Sequence, residues 1–409
     1  MTREKINIKI KPFGFLDLLA FKKLVPTRKK KIATAEVTPV SEKPPVNVLA
    51  ARLHPEVQHL IVSEIREETG NVKTYKLVAD AAGGTEQLAY FRPGQYLSLE
   101  FAIDGSTVTR PYSIASSPQD SLQGYYEITV KKDDGGYISN YIHEHWSAGS
   151  AVKASGPQGH FYHDNLRDKN NLVAIAGGCG VTPFRSMARS IVEGNLPVNL
   201  TLFYGSNKKQ DIIYLEEMEQ LAASSNGAVK IVHILAEEEA EGFEHGFISA
   251  ALLRKYVNVD DCSFFICGPQ AMYEHLSTEI AGLKIRNKFI RRELFGEIKN
   301  IKAVKGYPAG AVSENYSVKV HIGSQVKVID ADPSESLLVA LERAGLCPPS
   351  ACRSGSCGVC RSLLISGDLF IPEDVDERRA ADKKFGFIHP CVSYPLGDLE
   401  IIIPRKKTG

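Results

Sequence analysis

The sequence has 409 residues, of which 43% are hydrophobic and 24% charged, and its formal net charge is +1. These values are typical of a soluble protein with several domains, and they give no overall positive field for binding nucleic acid. No apolar run reaches the roughly 18 residues that a membrane-spanning helix needs, and nothing resembles a secretory signal. We therefore expect a cytoplasmic protein.

The first 50 residues differ from the rest, because they hold 11 lysines and arginines against 4 acidic residues. Apolar side chains recur there at roughly helical spacing, at Phe13, Leu16, Leu19, Phe21 and Leu24. This pattern is typical of a basic amphipathic helix that docks on a partner or on a membrane surface, such as the inner face of the inner membrane. A disordered tail explains the same composition. We predict a basic extension and linker over residues 1–50.

Three further regions follow in chain order. Short alternating strands separated by turn residues predict an antiparallel β-barrel over residues 51–165. Apolar strands that alternate with helical patterns predict an α/β doubly wound parallel sheet over residues 166–300. After a linker at 301–315, two strands, a helix and a cysteine-rich loop form a third domain over residues 316–409.

Four cysteines near the C-terminus predict a metal site. Cys352, Cys357 and Cys360 have the spacing C-x4-C-x2-C, and a single distant cysteine, Cys391, follows. This spacing matches the plant-type 2Fe-2S run and differs from the bacterial ferredoxin run. Four soft thiolates are suitable ligands for two irons, so these cysteines are the predicted cluster ligands.

Zinc is the alternative metal for such a loop. Zinc sites favour two C-x2-C knuckles, whereas this chain has only one. Cys347, five residues before Cys352, is the one rival ligand, and we interpret it as a small buried apolar residue. If zinc were bound, the chain would be a non-catalytic interaction protein.

Two short motifs in the barrel region favour a flavin. In "RPYSIASSP", Arg110 offers a two-pronged donor for phosphate, Tyr112 a flat ring and Ser113 a hydroxyl for the polar edge of the flavin. Gly135 and Gly136 precede a predicted helix start, where free backbone N–H groups bind pyrophosphate. Each motif alone also fits an ordinary strand or hairpin turn.

Two motifs in the parallel sheet favour a dinucleotide. "LVAIAGGCGVTPF" is a strand followed by a glycine loop and a helix start, although it departs from G-x-G-x-x-G. "FFICGPQAM" ends another strand at Cys267. Strand ends of an open parallel sheet are where ligands bind, so both loops are expected to face one crevice.

In this order and spacing, the motifs resemble the ferredoxin-NADP reductase superfamily. The segments "PPSACRSGSCGVCRS" and "HPCVSYP" resemble the cluster loop and fourth-ligand segment of plant-type ferredoxins. The resemblance implies a β-grasp fold for the third domain, an FAD cofactor and a 2Fe-2S cluster. Cys267 and Ser113 would then lie nearest the reacting nicotinamide and flavin.

The same resemblance implies two sets of binding residues. The flavin set is Arg110, Pro111, Tyr112, Ser113, Val130, Lys131, Gly135, Gly136 and Ser139, with Phe295 of "ELFGE" near the flavin ring. The nicotinamide dinucleotide set is Gly177, Gly178, Gly180, Thr182, Pro183, Ser206, Lys208, Cys267, Gly268, Pro269 and Met272. Asn207 stands where an arginine commonly accompanies the 2′-phosphate of NADPH, so NADH is weakly favoured.

The domain order therefore predicts an NAD(P)H-dependent reductase that passes electrons through FAD and the cluster to a protein acceptor. An oxygenase, a hydroxylase or another redox enzyme fits that role. The alternative within the same chemistry is an electron-input subunit of a larger redox complex. No nucleic-acid partner is expected.

Overall fold

The computed structural model describes residues 15–35, 44–103, 105–294, 296–298, 300–308 and 315–405, and the chain divides into two compact units, residues 1–50 and 51–409. Helix α1 (Phe15–Thr34) contains Pro26, and helix α2 is Pro45–Leu53. Phe13 and the side chains of Leu16, Leu19 and Phe21 lie outside the described part, whereas Leu24 is 56% exposed. No described helix is both long and apolar enough to cross a membrane.

The first domain of the larger unit is a six-stranded antiparallel sheet with the order β4-β3-β6-β1-β2-β5. Tyr75, Leu97 and Ile128 belong to the apolar core that its inward-facing residues form. The strands are β1 (Gln58–Thr69), β2 (Val72–Ala79), β3 (Tyr96–Ile103), β4 (Ser106–Ser113), β5 (Tyr125–Lys131) and β6 (Ala151–Ala154), and the helices are α3 (Pro118–Leu122) and α4 (Tyr137–His145).

The second domain is a six-stranded parallel sheet with the order β10-β9-β8-β7-β11-β12. Its central strand β7 is buried except at its first residue, as expected for a strand covered on both faces. The strands are β7 (Asn171–Gly177), β8 (Asn199–Ser206), β9 (Val229–Leu235), β10 (Glu244–His245), β11 (Cys262–Cys267) and β12 (Ile290–Glu293), and the helices are α5 (Thr182–Val192), α6 (Leu215–Ser224), α7 (Ala250–Tyr256) and α8 (Gln270–Gly282).

The third domain is a five-stranded mixed sheet with the order β14-β13-β19-β15-β17, beside the pair β16 and β18. Its first strand pairs in parallel with its last, and one short helix packs on this sheet. The strands are β13 (Tyr316–Ile322), β14 (Gln325–Ala331), β15 (Ser362–Ser366), β16 (Leu369–Phe370), β17 (Phe387–Ile388), β18 (Tyr394–Pro395) and β19 (Leu399–Ile402), and the helices are α9 (Leu337–Arg343) and α10 (Ala380–Lys384).

The predicted fold class is confirmed in all three domains. Strict alternation in the first domain and continuous apolar runs in the second are strong local signals, which is why the two types of sheet can be told apart from the sequence. The linker prediction falls partly on residues 309–314, which lie outside the described residues.

A buried ion network joins the first two domains. Arg185 on α5 is 3% exposed and donates to Glu127 on β5 at 2.7 Å, to the Ala115 carbonyl at 3.0 Å and to Glu217 on α6 at 2.9 Å. A buried guanidinium with its donors used in this way holds its partners in one arrangement. The two domains therefore present a fixed crevice between them.

Candidate functional site

A cavity of about 680 Å³ opens at the carboxyl ends of four parallel strands, β7, β8, β9 and β11. Gly177, Gly178, Pro269 and Met272 from the two predicted dinucleotide loops line it, and Lys131 from the antiparallel domain closes one side. The strand ends of an open parallel sheet are the expected place for a dinucleotide. The other residues of the two loops that were predicted to contact the dinucleotide do not line this cavity: Gly180, Thr182, Pro183, Cys267 and Gly268.

The two glycine-containing loops touch each other through their backbones. A Cβ atom on Gly180 would fall on the carbonyl oxygen of Cys267, so only glycine fits at that position. Thr182 and Pro183 begin α5, and the Thr182 hydroxyl donates to the Cys179 carbonyl at 2.9 Å. The loops that the sequence presents as separate motifs therefore form one surface.

The part of the cavity lined by Ser206 and Asp211 is polar and partly acidic. The buried Oγ of Ser206, beside the phenol of Tyr204, completes no hydrogen bond of good geometry in the described part of the chain, so it is available to a ligand. Lys208 does not line the cavity, and its Nζ lies 3.9 Å from Glu237. Asp211 lines the cavity and accepts from the backbone N–H of Lys208 at 3.1 Å.

Ser113 and Cys267, the two predicted catalytic side chains, are linked by Glu293. Strand β12 pairs in parallel with β11 and places Glu293 opposite Cys267. The Ser113 hydroxyl donates to Glu293 Oε2 at 3.3 Å. Burial raises the pKa of Glu293 to about 8 and raises the pKa of the Cys267 thiol, so both groups hold protons near neutral pH.

The flavin motif lies at the end of β4. Among the described ion pairs none involves Arg110, whose guanidinium donates only to the Thr109 carbonyl, at 2.8 Å. Burial lowers the pKa of Arg110, and the nearby Arg353 lowers it further. A half-buried arginine without a carboxylate partner fits an anionic ligand such as a pyrophosphate. Half-buried Tyr112 packs against the apolar core of the domain.

The remaining predicted flavin residues surround the start of α4. Gly136 is the N-cap of this nine-residue helix, directly after Gly135, and Ser139 lies in its first turn. Val130 and Lys131 end β5, and the carbonyl of Val130 is 2.9 Å from His143 on α4. Gly135 and Gly136 lie in the short connection between the end of β5 and the start of α4, where the free backbone N–H groups of a helix start can bind phosphate. Pro111 is buried and faces a second cleft, described below. Phe295 lies outside the described residues.

The four predicted ligand cysteines converge. The Sγ atoms of Cys360 and Cys391 are 3.5 Å apart, and hydrogen bonds from the Cys357 and Cys391 thiols lower the pKa of Cys352. The backbone N–H groups of Ser354 and Cys357 lie 3.4 Å from the Cys352 sulfur. Such N–H groups stabilise thiolate charge, so the four side chains fit a 2Fe-2S cluster.

The loop around these sulfurs is closely packed. A Cβ atom on Gly355 would lie 2.6 Å from the Val375 carbonyl oxygen, and its φ of +86° also favours glycine. Within the described residues, no group of three or more histidine, cysteine or acidic side chains is arranged to hold one metal ion. A two-iron cluster differs in this respect, because its four thiolates are shared between two irons.

The chain leading into the cluster loop is hydrogen-bonded to β4, the strand that carries the flavin motif, and to the neighbouring strand β3. Thr109 Oγ1 is 2.6 Å from Ser350 Oγ, the backbone N–H of Thr107 donates to Cys347 Sγ at 3.3 Å, and Ser98 Oγ donates to the Ala351 carbonyl at 3.2 Å. Cys347 is therefore half-buried at this junction, not a fully buried apolar residue as predicted.

Arg353, which follows the first ligand cysteine, is buried at the same junction and bonds to both sides of it. It is 0% exposed and forms two bonds to Glu342, at 2.6 and 2.9 Å. It also pairs with Glu297, which follows the parallel-sheet domain, and its Nη1 lies 3.4 Å from the Thr109 carbonyl. One guanidinium thus contacts parts of the chain belonging to all three domains.

Comparison with known proteins agrees with this arrangement. Family models for an oxidoreductase FAD-binding domain, an oxidoreductase NAD-binding domain and a 2Fe-2S iron-sulfur cluster binding domain match residues 59–163, 174–278 and 320–396. The glycine betaine monooxygenase reductase subunit of Pseudomonas aeruginosa is 30% identical over 361 residues, which cover 84% of this chain and 95% of that protein. The chain belongs to the ferredoxin-NADP reductase superfamily. It is a reductase of the group with a C-terminal 2Fe-2S domain.

Two further relatives have the same layout. The ferredoxin reductase component of the 3-ketosteroid-9-alpha-monooxygenase of Mycobacterium tuberculosis is 29% identical, with 84% of this chain and 94% of that protein covered. The solved structure of phthalate dioxygenase reductase aligns with a TM-score of 0.61 at 23% identity, covering 85% of this reductase and 98% of that chain, and shows the shared fold. The predicted enzyme class and the predicted cofactors, FAD, NAD(P)H and a 2Fe-2S cluster, are confirmed.

Sequence reasoning missed two residues at the centre of the site. Glu293 begins the segment "ELFGE", yet the motif points only to its phenylalanine, because nothing local shows that β12 lies beside β11. Arg353 lies between two ligand cysteines and has the sequence context of a solvated loop residue. A charged residue inside a glycine-rich metal loop is the one signal that could have singled it out.

Proposed function

We propose that this reductase is the electron-transfer component of an oxygenase system, taking electrons from NADH and delivering them singly to the oxygenase. When bound, FAD accepts a hydride from the nicotinamide and passes the electrons one at a time to the cluster. The observation that carries the proposal is the direct hydrogen bonding between the chain around the cluster loop and β4, which ends in the flavin motif. The names of the two monooxygenase reductase relatives support this class of acceptor.

In this proposal the chain's own residues bind and orient. Arg110 and the start of α4 hold the flavin phosphates, while Tyr112 and Ser113 contact its ring. Gly177, Gly178, Ser206, Pro269 and Met272 line the dinucleotide cavity, and Gly180 allows the two loops to meet. Cys352, Cys357, Cys360 and Cys391 ligate the cluster. Glu293, protonated near neutral pH, keeps a proton next to Ser113 Oγ.

The test is anaerobic stopped-flow mixing of the FAD- and cluster-loaded protein with NADH. The flavin band should bleach first and the cluster band second, and the wild-type protein should then reduce a one-electron acceptor. Cys391→Ser should lose the cluster band, because it removes one of the four ligands, and should keep flavin bleaching, because Cys391 does not line the dinucleotide cavity. Loaded protein that stays unbleached with both NADH and NADPH would overturn the proposal.

The acceptor class needs its own measurement. Purified oxygenase components should reoxidise the NADH-reduced cluster in a saturable way, whereas an electron-input subunit of a larger complex would copurify with fixed partners. Reoxidation by no oxygenase, together with a stable copurifying complex, would favour the second candidate.

We infer further that NADH is preferred over NADPH. Carboxylates lie beside the lysines after β8: Lys208 Nζ is 3.9 Å from Glu237, and the backbone N–H of Lys209 donates to Glu238 at 2.5 Å. We place Glu237 and Glu238, which follow the cavity-lining Ala236, near the adenosine ribose, where carboxylates suit a 2′-hydroxyl and repel a 2′-phosphate. The double variant Glu237→Gln/Glu238→Gln should raise kcat/KM for NADPH by about tenfold. The exposed control Glu241→Gln should not, and equal gains in both would refute this inference.

The extension of residues 1–50 is proposed as a docking element, on the basis of its 11 basic residues. Removing it should leave NADH-driven flavin bleaching unchanged and weaken association with anionic vesicles or with the acceptor. A truncated protein with unchanged vesicle binding and unchanged acceptor turnover would exclude that role.

A further inference from the structure

A second cleft, of about 1,070 Å³, lies beside the cluster and is separate in its lining from the dinucleotide cavity. All three domains line it: Arg92 comes from the antiparallel domain, Arg167 and Arg292 from the parallel-sheet domain and its β12 edge, and Arg379 from the ferredoxin-type domain. We call it the cluster cleft. Its floor includes Cys352 and Cys357, so anything bound there lies next to the cluster ligands.

The rim of the cluster cleft carries an excess of positive charge. None of the ion pairs in the described part of the chain involves Arg92, Arg167, Arg292 or Arg379, and all four are exposed. Arg167 donates only to backbone carbonyls, and Arg92 lies 4.6 Å from the ring centroid of Tyr162. Cations without carboxylate partners are free to meet an anionic ligand.

Few negative charges oppose these arginines. Asp374 and Glu377 line the cleft on the ferredoxin-type domain, and Glu293 lies at its buried end, where a carboxyl is uncharged near neutral pH. Arg291 also lines the cleft, but Asp168 neutralises it. The cleft therefore has more unpaired cations than exposed carboxylates.

The cleft also holds the exposed edge of the cluster site. Cys357 is exposed, whereas Cys352, Cys360 and Cys391 are buried. Val359 beside it is 41% exposed and Tyr90 across the cleft is 45% exposed, so an apolar contact is available inside a charged rim. An apolar centre with a polar rim is the usual anatomy of a protein interface.

We propose that the cluster cleft is the docking site for an acidic segment of the electron-accepting protein, held by arginines of all three domains, with electrons leaving on the Cys357 side. This inference rests on the proposed function, because it presumes a protein acceptor. It adds that the acceptor recognises the reductase domains as well as the ferredoxin-type domain. By count, residues 316–409 carry 12 basic and 12 acidic side chains, so that domain alone offers an acidic partner little attraction.

The test uses the loaded full-length protein and the variant Arg92→Gln/Arg292→Gln. Neither arginine belongs to the proposed flavin, dinucleotide or cluster residues. Arg254→Gln on α7 is the matched control, because this exposed arginine lies outside the cleft. A fluorescein-labelled octaglutamate peptide is the binding probe, with an octalysine peptide as its charge-reversed control. The double variant should bind octaglutamate about tenfold more weakly at low salt.

A kinetic measurement follows the cluster band directly. Each NADH supplies two electrons, which convert two ferricyanide ions to ferrocyanide and leave NAD⁺ and one proton. After reduction with NADH, reoxidation of the cluster by anionic ferricyanide should slow about tenfold in the double variant at low ionic strength. Reoxidation by cationic hexaammineruthenium(III) should not slow, and the difference should shrink at about 0.15 M salt, where the screening length is about 8 Å.

The outcomes separate this inference from the proposed function. If NADH fails to bleach the wild-type cluster, the proposed function fails. If bleaching is normal and the double variant matches Arg254→Gln with octaglutamate and with ferricyanide, the docking inference is wrong and the proposed function stands. Weakened octalysine binding to the same extent would also refute it, because the effect would not depend on charge sign.

Discussion

Replacing Arg353 should weaken the connection between the cluster and the flavin domain while leaving the dinucleotide cavity intact. The side chain is fully buried, bonds twice to Glu342, pairs with Glu297 and reaches the Thr109 carbonyl on β4. Arg353→Met keeps a similar length but removes the charge and every donor. Two carboxylates then remain inside the junction without their cation.

The expected cost follows from that burial. Removing one partner of a buried ion pair typically costs about 3–5 kcal/mol, because the remaining charge is left uncompensated. Burial already raises the pKa of Glu342 in the presence of Arg353, so without the arginine this carboxyl should protonate and reduce part of the cost. Displacement of the cluster should slow electron transfer from the flavin, because the rate of that transfer falls steeply as the two centres separate.

The assay combines thermal unfolding with stopped-flow bleaching by NADH. In Arg353→Met the flavin band should bleach at the wild-type rate and the cluster band should bleach slowly. Arg353→Lys should be intermediate, since it keeps the charge and loses the two-pronged geometry. The control is Arg343→Met, whose exposed guanidinium donates to the Asp330 carbonyl at 2.9 Å and pairs with Glu335 on the surface. The reasoning would be refuted if Arg353→Met had the same unfolding temperature as Arg343→Met and if its flavin and cluster bands bleached at the same rates as in that control.

Three further predictions concern single positions. Gly180→Ala should weaken NADH binding by about tenfold or more while the flavin and cluster bands persist, because its Cβ meets the Cys267 carbonyl; Gly282→Ala, with open space around it, should bind NADH normally. Burial lowers the pKa of His233 to about 4 from its usual 6.5, so the unfolded chain binds more protons between these pH values and stability falls as pH falls through that window. Between pH 7 and pH 5 the wild-type protein should lose about 2 kcal/mol of unfolding free energy through His233, and His233→Phe should not show this loss in thermal unfolding measurements. A variant whose stability falls with pH as steeply as that of the wild type would contradict the role given to His233. Cys347→Ala should lower the unfolding temperature by only a few degrees, because it removes a single weak bond to Thr107, and cluster content should stay at the wild-type level.

Local signals allowed most of the secondary structure to be predicted. Val318 and Val320 alternate with polar neighbours along β13, and β7 is an unbroken apolar run, so each pattern indicates a strand without tertiary information. The ligand cysteines were predictable for another reason: their spacing is a direct geometric requirement of the cluster, so no tertiary information is needed. Their convergence agrees with that prediction.

Contacts between domains could not be predicted in this way. Ser98, Thr109 and Ser350 are ordinary polar residues in sequence, and their contacts depend on how the antiparallel domain and the ferredoxin-type domain pack together. The same holds for Glu293, whose neighbours Ser113 and Cys267 come from two different sheets. A periodic pattern reports which face of a strand is buried and carries no information about which distant strand covers it.

The junction beside the cluster shows what polar burial achieves in a chain that must hold two redox centres at a set separation. An apolar interface of the same area would be at least as stable, but it would tolerate sliding, since apolar contact is non-directional. Hydroxyl and guanidinium groups are directional, so each bond specifies the position of one partner atom. Thr109 is hydrogen-bonded to Ser350, and Arg353 is hydrogen-bonded to Glu342. If these bonds serve to fix the relative position of the two domains, replacing Arg353, Glu342 and Glu297 together by apolar residues should recover the unfolding temperature that Arg353→Met loses. It should not recover the wild-type rate at which the iron-sulfur band bleaches. A triple variant that recovers both would mean that the ion cluster serves stability alone.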